Sequence, residues 1–166
     1  MKMLPTLLAA AGLGVAAAAP LKQLGDFELA DQNSVVRTYS FPKLKVTAMT
    51  VADRKGSEQL EPWIQKLYDR YGESIDIDGV ADVSMIPGPL RGVVREVFRK
   101  RLTHPVMLDW SGTVVKRFGY RPGLANVYAI DRRGRIIEHL AGPWNPTAER
   151  EIFQAIDRAM IDSPAK

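Results

Sequence analysis

The residue order predicts an α/β fold in three layers, a mixed central sheet between helices with a hairpin at the N-terminal side. Three observations carry this. β-Branched runs at 45–52, 75–83 and 105–109 alternate with amphipathic helical patterns at 57–71 and 90–102, as crossover connections do. A hairpin pattern at 126–140, turned at RRG, leads into a last helix opened by Asn145-Pro146. Another hairpin pattern, GDFELADQNSVVRTYSF, precedes the first β-branched run.

Each element has a local reason. Phe27 and Leu29 alternate with polar neighbours, residues 31–34 supply a turn, and Val35 to Tyr39 pairs back. KVTAMTVA has too little polarity for a surface strand and suits a sheet interior. Leu60, Trp63, Ile64, Leu67, Tyr68 and Tyr71 recur at three and four, predicting a helix over 57–71. Ser57 is its expected cap, Pro62 its expected kink and Gly72 its stop. In IDIDGVADV, Gly79 marks a bulge or a close approach, and IPGP then opens the helix from Leu90 to Leu102. PVMLD reads as a short strand, with a turn at Ser111-Gly112 and a short helix at 114–118. Ile152, Phe153, Ile156, Ala159 and Met160 line one face of the last helix.

A length of 166 residues with 46% apolar and 25% charged residues suits one folded domain and argues against disorder. The first 19 residues have the layout of a secretory signal peptide: Lys2, an apolar run from Met3 to Val15, then small residues at 16–19. The mature domain is expected over 20–166, exported and placed in a bacterial periplasm; a retained leader is the alternative. The apolar run is shorter than the ~20 residues of a spanning helix. The chain has no cysteine, which excludes thiol peroxidase and disulfide exchange chemistry.

Four segments together resemble the thioredoxin fold, in its alkyl hydroperoxide reductase and thiol-specific antioxidant (redoxin) branch. GDFELADQN is similar to the family's "DF-x-L-x-D-x-x-G" opening, with Ser34 where glycine is usual. ADRKGSEQLEPW looks like its active-site loop and first helix. MLDWSGTVVKRFGY resembles "LxDxxGxVAxxYG", and VYAIDRRGRIIEHLAG resembles the closing "FxIDxxGxI" hairpin. The resemblance spans about residues 24–162. It implies a thioredoxin-like sandwich of a cysteine-free, exported kind, with Arg54 and Ser57 near the positions of the family's two cysteines. Ala125 in PGLAN matches the family's cis-proline; a cis bond there would cost ~2.5–4 kcal/mol, so trans is expected.

The residues leave binding as the expected activity. Arg54, Lys55, Gly56 and Ser57 are a candidate anion site, the alternative being a solvated loop with Ser57 as cap. A non-thiol enzyme using the 53–57 loop is a rival that requires an acid or histidine beside it. His104 and His139 are the only histidines, and Asp76, Asp78 and Asp82 alternate along one strand; neither set has metal-site spacing, and no metal or cofactor is expected. PLRGVVREVFRKRLTH sets Arg91, Arg95, Arg99, Lys100 and Arg101 against Glu96 alone. Its apolar set (Leu90, Val93, Val94, Val97, Leu102) is expected to face the core, leaving Arg91, Arg95 and Arg99 as a ridge. That ridge, with Trp110 and Trp144 in loops, is the candidate surface for an acidic protein or an anionic membrane. Nucleic acid is disfavoured because no motif or exposed aromatic series accompanies the cations.

Overall fold

The run KVTAMTVA is too apolar to meet water on either side, and it becomes the centre of the sheet. The computed structural model describes residues 22–162; the leader expected over residues 1–19 lies outside them. The strands are β1 (Lys22–Gln23), β2 (Phe27–Ala30), β3 (Val36–Tyr39), β4 (Thr47–Ala52), β5 (Asp76–Asp82), β6 (Met107–Asp109), β7 (Asn126–Ile130) and β8 (Arg135–Ala141). The helices are α1 (Arg54–Ser57), α2 (Glu61–Tyr71), α3 (Arg91–Arg101), α4 (Thr113–Phe118) and α5 (Pro146–Ile161). Six strands form one sheet in the order β1-β8-β7-β4-β5-β6, and β2 and β3 form a separate hairpin. β4, β5 and β6 are parallel, while β7 and β8 run antiparallel beside β4.

The two-residue period of the strands divides the core. Val46, Ala48, Val127 and Ala129 face one side, against Trp63, Leu67 and Tyr71 of α2 and Ile152, Phe153 and Ile156 of α5. Met49, Val51, Tyr128 and Ile130 face the other, against the hairpin's Phe27 and Tyr39 and Val115 and Phe118 of α4. All six residues of β4 and all five of β7 are buried. The three-layer mixed sandwich with an N-terminal hairpin is therefore the architecture the chain adopts.

Three differences from the sequence expectation have local causes. The helix expected over 57–71 is two helices, because Pro62 has no N–H to bond the carbonyl of Glu58 and must lie in a first turn, as it does in α2. The cap of α1 is Asp53, whose Oδ1 accepts from Gly56 N at 2.8 Å; Ser57 is the last residue of α1 and caps nothing. β1 lies directly after the leader and has no pattern of its own, so only its pairing with Arg135 and Ile136 reveals it. Gly79 marks a close approach: it sits opposite Thr50, where a Cβ would come 3.1 Å from Thr50 Oγ1. The sheet's irregularity falls instead at Ala129/Ile130.

Three turns share one device. Asp31, Asp109 and Asp131 are buried, and each accepts from the backbone N–H two residues on, at 2.8 Å for Asn33, 3.2 Å for Ser111 and 2.9 Å for Arg133. Three residues after each aspartate the chain turns through positive φ, at Ser34 (63°), Gly112 (69°) and Gly134 (82°). Only the first of these is not glycine, and a side chain in that left-handed region is strained. Ser34→Gly is expected to stabilise the fold by about 1 kcal/mol, a rise in Tm of ~2–4 °C by calorimetry. An unchanged or lower Tm would show that Ser34 carries no strain.

Candidate functional site

In a sheet of this topology the carboxyl ends of the parallel strands, where chain direction and connection change, are where ligands bind. The chain leaves β4 there through Asp53, which does more than cap α1. Its Oδ2 accepts from Gly123 N at 2.7 Å, tying the loop before β7 to the first turn after β4. Gln59 repeats the tie, its Oε1 accepting from Ala125 N at 3.2 Å and its Nε2 donating to Gly123 O at 3.4 Å. The two backbones approach so closely that a Cβ on Gly56 would stand 2.2 Å from the Leu124 carbonyl oxygen. The peptide bond before Ala125 is trans, as the absence of proline leads one to expect.

This geometry leaves the 54–57 segment with little to offer a ligand. Arg54, Lys55 and Ser57 are exposed, and Gly56 is buried under Leu124. The Gly56 amide already serves Asp53, and the Ser57 hydroxyl donates to Arg54 O at 2.6 Å. Asp53, which directly precedes this segment, has both its oxygens engaged. Sequence reasoning missed Asp53 and Gln59; the spacing of Asp53 three residues before Gly56 was the available signal for the cap.

The strand aspartates are engaged one by one. β6 pairs only with Val80–Asp82, so Asp82 lies between two strands while Asp76 and Asp78 stand where β5 has β4 alone as its partner. Asp76 pairs with Lys43 at 2.8 Å, and Asp78 accepts from the Tyr39 hydroxyl. Asp82 accepts from Ser84 N at 3.0 Å, from Ser84 Oγ at 2.6 Å and from the Tyr120 hydroxyl. Burial alone would raise the Asp82 pKa, but these hydrogen bonds and nearby Lys116 hold it below the usual carboxylate value. Tyr120 is pushed up by burial and by that same carboxylate, so it stays protonated. Among the described residues no cluster of three or more histidines and carboxylates is placed to hold a metal ion.

The two histidines differ: His104 is exposed and His139 is half-buried. His104 stacks on Tyr68 with centroids 5.1 Å apart. His139 lies nearly flat on Tyr128 at 4.1 Å, and its Nε2–H donates to Asn126 Oδ1 at 2.9 Å. Burial, then the charges of Arg121 and Lys22, lower the His139 pKa below 6.5.

The largest departure concerns α3. No residue of this helix is buried, and the face that carries Val93 and Val97 turns away from the core. Val93 is 63% exposed, Leu90 51% and Val97 42%, with Leu102 at the exit also exposed. The inward side is formed by half-buried Val94, Arg95 and Phe98. Arg91 and Arg95, expected on an outer ridge with Arg99, instead lie 5.4 and 5.8 Å from the Trp110 ring centroid as cation–π contacts. The helix is rotated because its inner neighbour is an aromatic ring that two guanidinium groups can cover, where aliphatic side chains were expected to pack. Arg99 pairs with Glu96 at 2.7 Å and Lys100 approaches the same carboxylate at 3.6 Å. Among the described residues Arg91, Arg95 and Arg101 form no ion pair. Trp110 thus joins the basic helix. Trp144 does not: it packs on the core beside α2 and α5, and its Nε1–H donates to Glu149 Oε2 at 2.6 Å.

Comparison with known proteins agrees with this architecture. No family model matches the chain, and no curated protein matches its sequence. Solved structures do. A Chlorobium tepidum protein described as the thiol:disulfide interchange protein DsbE superposes with a TM-score of 0.64 at 17% identity, covering 87% of this chain and 99% of that one. The exposed lipoprotein thioredoxin of Streptococcus pneumoniae gives 0.63 at 18%, covering 81% and 99%. A Neisseria meningitidis protein described as a thioredoxin gives 0.61 at 20%, covering 89% and 95%. The chain is a cysteine-free protein of thioredoxin-like fold.

Two measurements test this local account. Asp53→Ala, which removes both ties, is expected to cost about 1–2 kcal/mol in urea unfolding; a loss below a few tenths would mean the clamp is idle. For His139, the unfolded chain takes up a proton at a higher pH than the folded one. Stability therefore falls as pH drops below 6.5 towards the lowered folded value. His139→Gln should flatten the stability change between pH 7 and pH 5 relative to wild type, and an unchanged slope would contradict the assignment.

Proposed function

We propose that this chain is an exported domain that works by binding, through the outer face of α3, and not by redox or hydrolytic chemistry. The observation that carries the reading is the outward apolar stripe of Leu90, Val93 and Val97 on a helix rich in cations. A surface helix of a free-standing domain turns such a stripe inward; one turned outward marks a contact surface. The lack of cysteine supports the absence of thiol chemistry, and the leader pattern supports export to the periplasm. Trp110 supports the helix from beneath, with Arg91 and Arg95 over its ring. An anion site at Arg54, Lys55, Gly56 and Ser57 is the weaker reading, because an incoming anion would have to displace the Asp53 carboxylate from the Gly56 amide.

A photo-crosslinking amino acid placed at Val93, in cells that export the protein, reads this directly, with Leu44 (83% exposed and remote in sequence) as the control position. The expected outcome is an adduct, to protein or lipid, at position 93 and not at 44. It should be competed by added wild-type protein and not by the Val93→Glu/Val97→Glu variant. Equal labelling at both positions, or none at 93, would remove α3 as the binding face.

A further inference from the structure

We infer that the occupant of the α3 face is an anionic lipid bilayer surface, an inference that rests on the reading of α3 as a contact surface and names what it contacts. Leu90, Val93 and Val97 are three and four apart and form one stripe along the helix. Lys100 and Arg101, three and four residues beyond Val97, lie one turn further on, to either side of that stripe. Arg99 is exposed on the far flank, and Arg91 stands beside the first turn. Apolar side chains bordered by cations suit the boundary between acyl chains and negatively charged headgroups.

The other occupants fit less well. A second copy of the chain would bring five cations against five, offset by one glutamate on each helix. The chain's own first 21 residues carry no acid, so they offer the cations nothing. An acidic protein would need a surface that receives a convex ridge while placing carboxylates on both flanks and at its end. A bilayer supplies anions on every side of whatever enters it. Two hollows of the domain lie elsewhere, one by Asp131 and Arg158 and one by Gln23 and Phe41, whereas Leu90, Val93 and Val97 stand out from α3 as a ridge. α3 is also the connection between β5 and β6, and β6 is the sheet edge opposite β1, where the leader joins.

Both halves of the core are built from residues within 24–159, so a chain starting at Pro20 retains them and can be used without the leader. The test is flotation of that chain with vesicles of phosphatidylcholine alone or of phosphatidylcholine mixed with anionic phosphatidylglycerol. Binding is expected on the anionic vesicles only, and it should weaken steeply when salt is raised. Lys100→Gln/Arg101→Gln should lower it about thirtyfold, at roughly 1 kcal/mol for each cation near the surface. Val93→Glu/Val97→Glu should abolish it, with circular dichroism and Tm unchanged because both positions are exposed. Equal binding to both vesicle types, no binding, or binding that survives Val93→Glu/Val97→Glu would overturn the inference. If vesicles fail while position 93 still crosslinks specifically to a protein, the contact surface stands and its occupant is that protein. Failure of both experiments removes the contact surface itself.

Discussion

The constraint on which the rest of the structure depends is that β4 and β7 are buried on both faces. A strand with no solvent side must be covered twice, so the chain has to supply one layer from α2 and α5 and another from the hairpin and α4. With both faces of its central strands covered, the sheet presents its accessible groups at the strand ends and on the outer helices.

At the strand ends the thioredoxin-like scaffold has closed on itself. Asp53 and Gln59 use side-chain oxygens to hold the backbone of residues 123–125, and Gly56 permits the approach. The Asp53 carboxylate, the Gly56 amide, the Ser57 hydroxyl and the Gln59 amide all have internal partners, which favours a rigid, satisfied corner over a reactive one. The same economy appears in the three turns built on Asp31, Asp109 and Asp131. In each, a buried carboxylate accepts several hydrogen bonds and the chain reverses by positive φ. These turns lie in three of the four segments that carry the sequence resemblance, so most of the resemblance reflects how the scaffold is held together.

α3 is the helix the core does not need. Its inner contacts are Val94, Phe98 and the Trp110 ring, while Trp110 Nε1 and Arg95 Nε are buried without hydrogen-bond partners. A helix seated on cation–π contacts and two half-buried side chains gains less from its inner side than one seated in a core. Its exposed stripe therefore reflects weak competition: the domain offered those valines no better place to be buried.

The sequence by itself determined the three-layer sandwich, its two hairpins, the last helix and the exclusion of thiol chemistry. Those follow from period-two and period-three-or-four patterns, turn residues and composition, which are local properties of the chain. It also located the basic helix and Trp110. Only the tertiary structure decided that Asp53 holds Gly123 as well as capping α1, that β6 covers only the far end of β5, and that α3 turns Val93 and Val97 outward. Each of those depends on what a distant segment places alongside: Gly123 for Asp53, β6 for Asp82, and Trp110 for α3. The apolar pattern of α3 shows that the helix has a face. Which way that face points was set by the ring beneath it, some ten to twenty residues further along the chain.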